Sequence, residues 1–212
     1  MFKIRVYPLA VFTLLLSLSA YSSSIRQLHI DQLINQSELV FKGKVVNVTT
    51  NWNKNKTEIL TQVTFKIDDV ISGNHTSNRL ELSFVGGTVD EATVTIDGLI
   101  MPIKGESGIY FVSSVSQTLV NPLVGWAQGH FITTMDSLGV ERLMTQSKHP
   151  IESIDVNQKQ ENYLSKGFVT GVKRVSNGRI DEAMTIDSFK NFIQERTHAL
   201  KKKKSRASTQ HD

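Results

Sequence analysis

The chain has 212 residues, no cysteine and a formal net charge of +4. Without cysteine there is neither a disulfide framework nor a lipid-anchoring thiol, so stability has to come from an ordinary apolar core. The charge argues against a nucleic-acid binder: seven of the 24 basic residues are Lys3, Arg5, Lys201 to Lys204 and Arg206, and the other 17 face 19 acidic residues in the body. A basic footprint belongs on a recognition face, and here it sits on the ends.

In chain order, Lys3 and Arg5 precede an apolar run from Leu9 to Ala20, followed by small residues at Ser22 to Ser24. That is the pattern of a cleaved secretory signal, and the run is shorter than the roughly 20 residues a bilayer crossing needs. We therefore expect a signal peptide over 1–22 and an exported protein, periplasmic or extracellular, with no transmembrane segment after cleavage. A cysteine-free exported chain points to a bacterial source.

Ile25 to Ser37 fits a short amphipathic helix on Leu28, Leu33 and Ile34, in which His29 is a packing or capping residue. Leu39 to Val48 reads as a strand with Gly43 marking a bulge. Thr57 to Val70 is the cleanest strand: Ile59, Thr61, Val63, Phe65 and Ile67 alternate with polar neighbours, as in a half-solvated antiparallel sheet. His75 falls in a solvated turn, Arg79 to Val85 is a third strand, and Gly86-Gly87 ends it in a bend. A short strand follows up to Ile96, then the turn Asp97-Gly98 and a return segment that Pro102 confines to an edge or loop.

Ile109 to Val112 is apolar on both faces and is expected at the middle of the sheet. Leu123 to Thr133 reads as a coiled strand with Trp126, Gln128, His130 and Ile132 on one face and Gly125 and Gly129 as corner residues. Asp136 to Gly139 closes one more hairpin, and Pro150 marks a change of character. Thr185 to Leu200 is a helix capped by Thr185, with Ile186, Phe189, Ile193 and Leu200 on one stripe.

The segments ELVFKGKVVNV, VTFKIDDVISG, LELSFVGGTV, KGESGIYFV and NPLVGWAQGHFIT, spanning about Ile25 to Thr133, resemble a group of uncharacterised secreted bacterial β-rich proteins. The strand plan is similar to OB-type barrels and, more loosely, to netrin-like modules, which include tissue inhibitors of metalloproteases. Together these readings give a mainly β (α+β) chain: a signal peptide over 1–22, an antiparallel OB-like barrel with a short N-terminal helix over 25–147, a C-terminal helical appendage over 148–203 and a disordered basic tail over 204–212. It departs from the inhibitors in lacking the amino-terminal cysteine that they present to a catalytic zinc.

No nucleophile elbow, zinc helix or phosphate-cradling glycine loop occurs, and no cofactor or metal is expected. The reading from sequence is a non-enzymatic exported binding module that recognises an envelope or extracellular protein, a secreted protease among the options. Its partner-binding residues would be Gly86, Gly87, Trp126, Gln128 and His130. The alternative is a secreted hydrolase in which His130 works with a carboxylate, Glu106 or Asp97.

Overall fold

A computed structural model describes residues 25–159, 164, 165 and 167–209; the expected signal peptide lies outside the described residues. The chain is mainly β, built on a six-stranded antiparallel sheet of order β3-β2-β1-β6-β7-β8. Its strands are β1 (Leu39–Trp52), β2 (Ile59–Ser72), β3 (Arg79–Val85), β6 (Ser107–Val112), β7 (His130–Met135) and β8 (Glu141–Thr145). Two hairpins stand apart, β4 (Gly87–Val89) with β5 (Ala92–Val94), and β9 (Ile151–Ile154) with β10 (Val172–Arg174). A short helix, α1 (Ile30–Asn35), precedes the sheet and a long one, α2 (Ile186–Thr209), ends the described chain.

Val40 to Lys44 of β1 are paired on both sides, with β2 and with β6, while beyond Lys44 the only ladder partner is β2. Side chains alternate across a sheet, so a strand covered on both faces has to be apolar at every position. Val40, Ile109 and Phe111 therefore enter one core, and Leu39, Phe41, Tyr110 and Val112 enter another. The first core is completed by Phe131 and Leu143 of the sheet, Ile30, Leu33 and Ile34 of α1, Ile151 and Val172 of β9–β10, and Ile186, Phe189 and Ile193 of α2. The second is completed by Val63, Phe65, Leu80, Leu82, Phe84 and Leu123, which the curl of β1–β3 brings over the sheet.

Three register shifts in the β1–β2 ladder, one between Lys42 and Gly43, accentuate that curl. The bulge expected at Gly43 and the central place of Ile109 to Val112 are both present. The ladder itself stays open, with β3 and β8 as its edges, where a closed barrel was expected. The outer edge of β8 is taken by the segment before α2, not by β3: Leu143 N–H donates to Met184 O at 3.0 Å and Arg142 bridges to Thr185. What reaches β3 is the 113–124 loop: Val85 N–H donates to Val120 O at 3.0 Å, and Leu123 bridges back to Val112.

Both helix starts are encoded locally. His29 Nδ1 accepts from Asp31 N–H at 3.2 Å and Gln32 Oε1 accepts from His29 N–H at 3.0 Å, a reciprocal cap. Thr185 Oγ1 accepts from Ser188 N–H at 3.2 Å. The segment expected as an appendage shares the first core with the sheet, and α2 remains helical through 204–209, where the sequence suggested a frayed tail. Among the described residues no helix is long and apolar enough to cross a membrane.

Candidate functional site

The site with the most chemistry lies on the second core, where β6 and β7 meet. Tyr110 and His130 are opposite one another in the ladder, with ring centroids 5.0 Å apart. Glu106, just before β6, is fixed by its backbone, whose carbonyl accepts from Val45 N–H at 2.8 Å. Its Oε1 lies 2.7 Å from His130 Nε2, with the two side chains 12% and 0% exposed. Phe41 stacks on Tyr110 at 5.3 Å and Phe65 meets the same ring edge-on at 4.7 Å, so aromatic rings enclose the polar atoms.

Two facing glycines make room for those rings. Gly43 of β1 lies opposite Gly108 of β6, and the ring of Phe41 covers the first while that of Tyr110 covers the second. A Cβ on Gly108 would stand 3.1 Å from Tyr110 Oη and would also run into the Phe131 carbonyl. Aromatic side chains laid over strand glycines replace the missing packing, which is why Gly and an aromatic recur here two residues apart.

The trio is close-set but poorly bonded. Although Glu106 Oε1 and His130 Nε2 are in contact, neither they, His130 Nδ1 nor Tyr110 Oη takes part in a hydrogen bond of regular geometry among the described residues. Burial, and then the negative charge of Glu106, push the Tyr110 phenol well above its ordinary range, so it stays protonated as a donor. Buried polar atoms without well-formed hydrogen bonds are costly, and four of them lie together here, which makes this the candidate site. Chemically, the pair is half of an activated-nucleophile arrangement, an imidazole beside a carboxylate. The other half is not in contact, because His130 Nδ1 meets no hydroxyl among the described residues.

The hydrolase expectation paired His130 with Glu106 or Asp97. The structure brings His130 to Glu106, while Asp97 is exposed in the turn after β5. The partner-binding expectation is corrected for two residues. Gln128 and His130 are each 1% exposed, so they line the interior and cannot reach a docked surface. The expected strand through Trp126 is also corrected: Trp126 to Gly129 form a 3-10 turn and β7 begins only at His130. Gln128 explains the difference. Its Oε1 accepts from Leu28 N–H at 2.7 Å and its Nε2 donates to Arg26 O at 3.0 Å, clamping the segment that leads into α1.

Gly86 and Gly87 take φ of +107° and +123°, the bend the sequence suggested. Gly86 N–H donates to Ile59 O at 2.8 Å, and a Cβ on Gly87 would lie 2.5 Å from Thr61 Oγ1. This bend gathers side chains that sequence reasoning left unremarked. Trp52 is the ladder partner of Ile59, Val94 the partner of Gly87, and Val120 is bonded to Val85, and all three are exposed, with Ile100 beyond them. The signal in the sequence was faint: single apolar residues in otherwise polar loops.

Among the described residues no group of three or more His, Asp and Glu is placed to hold a metal ion. Compared with known proteins, the chain matches no family model, no curated protein and no solved structure.

Proposed function

We propose that this chain is an exported binding module that captures an envelope or extracellular protein on the Gly86–Gly87 end of its fold. The observation that carries the reading is that Trp52, Val94 and Val120, exposed apolar residues of three segments, each pair or bond with residues at this bend, and Ile100 follows beside Met101, whose Cε would lie 3.6 Å from a Cβ on Gly86. Scattered apolar residues are ordinary on a surface, whereas a group collected by one bend is what a protein contact uses. The OB-like relation belongs to the same reading. It is supported by the curled β1–β3 face, by β1 shared between two partners, and by the loop that covers β3 where a closing strand would run.

The leader composition supports export, and the enclosure of His130 supports a non-enzymatic role, since a base must reach a substrate proton. A benzophenone crosslinker placed at Ile100 should trap one defined protein from the periplasm or culture fluid, and one placed at Lys202 should not. Val94→Asp with Ile100→Asp should abolish the adduct. Equal trapping from both positions, or none from Ile100, would sink the reading.

A second reading is favoured by one observation, the 2.7 Å contact between His130 and Glu106. It makes the chain a secreted hydrolase in which that pair activates water or a hydroxyl group of the substrate. It requires the aromatic lid to open. Ester, peptide or glycoside turnover abolished by His130→Gln would favour it over capture.

A further inference from the structure

The cations of α2 fall into two sets. In its first half they are paired with the body: Lys190 with Asp69, and Arg196 with Asp31 through two bonds of 2.7 and 2.6 Å. Beyond Leu200 the helix leaves the core, and 201–207 are all exposed. Lys201 to Lys204 and Arg206 lie there with no carboxylate within ion-pair distance among the described residues and no acidic residue on that stretch of helix.

Two of these lysines face a built surface. Lys201 and Lys204 line a groove of about 320 Å³ whose other walls include Asn35 and Ser37 at the end of α1, and Ser72 and Gly73 at the end of β2. The Ser37 hydroxyl is occupied by Leu33 O at 2.7 Å, which leaves the Asn35 amide and the Ser72 hydroxyl to act with the two ammonium groups. The one carboxylate on the wall, Glu38, is turned to the Val115 amide, which donates to its Oε2 at 3.2 Å. Two helix ends bear on the groove. The short α1 ends there, with its Gln32, Leu33 and Ile34 carbonyls already accepting from Gln36 N–H, Ser37 Oγ and Ser37 N–H. The negative end of α2 lies further off. Its effect is confined to the last turn, and Lys204 lies more than a turn before Thr209.

We infer that this groove is an oxyanion site, for a phosphate group held between Lys201 and Lys204 and bonded by Asn35 and Ser72. Lys202, Lys203 and Arg206 raise the local anion concentration without touching the group. The inference is independent of the capture surface proposed above, which lies at the Gly86–Gly87 end. The phosphate could be free in solution or carried by a lipid, and the groove chemistry is the same for both.

The test compares two variants of equal charge, Lys201→Gln with Lys204→Gln against Lys202→Gln with Lys203→Gln, on the full chain. Binding of inorganic tripolyphosphate, followed by calorimetry and by amide shifts at Asn35 and Ser72, reads the soluble source. Cosedimentation with phosphatidylcholine vesicles containing phosphatidic acid reads the lipid source. We expect the groove pair to lose about tenfold in affinity for whichever probe binds, the size of one charge-assisted hydrogen bond. The other pair should lose less than about threefold, the share of screened surface charge. Equal losses for the two pairs, or no binding of either probe, would overturn the assignment. Since all four positions are exposed, folding is not at stake, and a thermal melt of each variant should superimpose on the parent.

Discussion

At the scale of single residues, the enclosed trio of Glu106, Tyr110 and His130 is where the fold stores its conflict. Removing one member of a buried polar pair leaves the other without its partner, while replacing both with apolar groups of similar size can be neutral. His130→Phe and Glu106→Leu should each cost about 2–4 kcal/mol, and the double variant should cost less than either. Urea unfolding of the four proteins gives the cycle directly, and additive losses would show that the 2.7 Å contact carries no coupling. Gly108→Ala should cost about 1–3 kcal/mol by overpacking against Tyr110 and the Phe131 carbonyl. Gln128→Ala should cost about 1–3 kcal/mol through the stranded Leu28 amide, with faster hydrogen exchange at Leu28 as the local sign.

At the scale of elements, β3 shows how an exposed strand edge is kept from pairing. Val85 N–H points away from β2, so Ser83, Glu81 and Arg79 do too, by alternation. Both ends of that row are occupied. Val120 O accepts from Val85, while Ser77 Oγ accepts from Arg79 N–H at 3.1 Å and His75 Nε2 meets Arg79 O at 3.1 Å. Glu81 puts a charge on the remaining window, a common guard against strand addition. His75→Ala, Ser77→Ala and Glu81→Val together should yield concentration-dependent dimers or larger species in sedimentation velocity, where the parent shows none from this edge. The same edge measures how far the sequence could be read. Strand identities were legible because Ile59, Val63 and Phe65 alternate cleanly with polar neighbours. The turn at Trp126 was not, because Trp126, Gln128 and His130 also fit a strand period, and only the bonds of Gln128 to a segment 100 residues earlier decide otherwise. Glu106 stood only beside Asp97 as a possible partner of His130, and the enclosure of the pair depends on Phe41 and Phe65, which no local pattern places above them.

For the whole molecule, the decisive fact is that the first helix and the last share one core and one ion pair. Ending the chain before Ile186 should expose Phe111 and Phe131 and remove cooperative unfolding, seen as dye binding and loss of near-ultraviolet circular dichroism. The pair also links stability to acidity. Hydrogen bonds from Arg196 hold the Asp31 carboxyl below its ordinary range, so its contribution is complete above the unfolded value, about pH 4, and is lost as pH falls through the lower folded value. Asp136 acts in the same direction, held low by the Val140 amide first and then by Arg142. Acid titration of the Asp31→Asn variant should therefore flatten the stability curve below about pH 4 relative to the parent, with little change in salt-free buffer at neutral pH beyond about 1 kcal/mol.

The clasp between Asp31 and Arg196 joins positions 165 residues apart. Such a closure sets an order in time as well as in space, because the groups that seat α1 are synthesised long after it. Until α2 emerges, Ile30, Leu33 and Ile34 have only part of their packing, and contacts so distant along the chain form slowly.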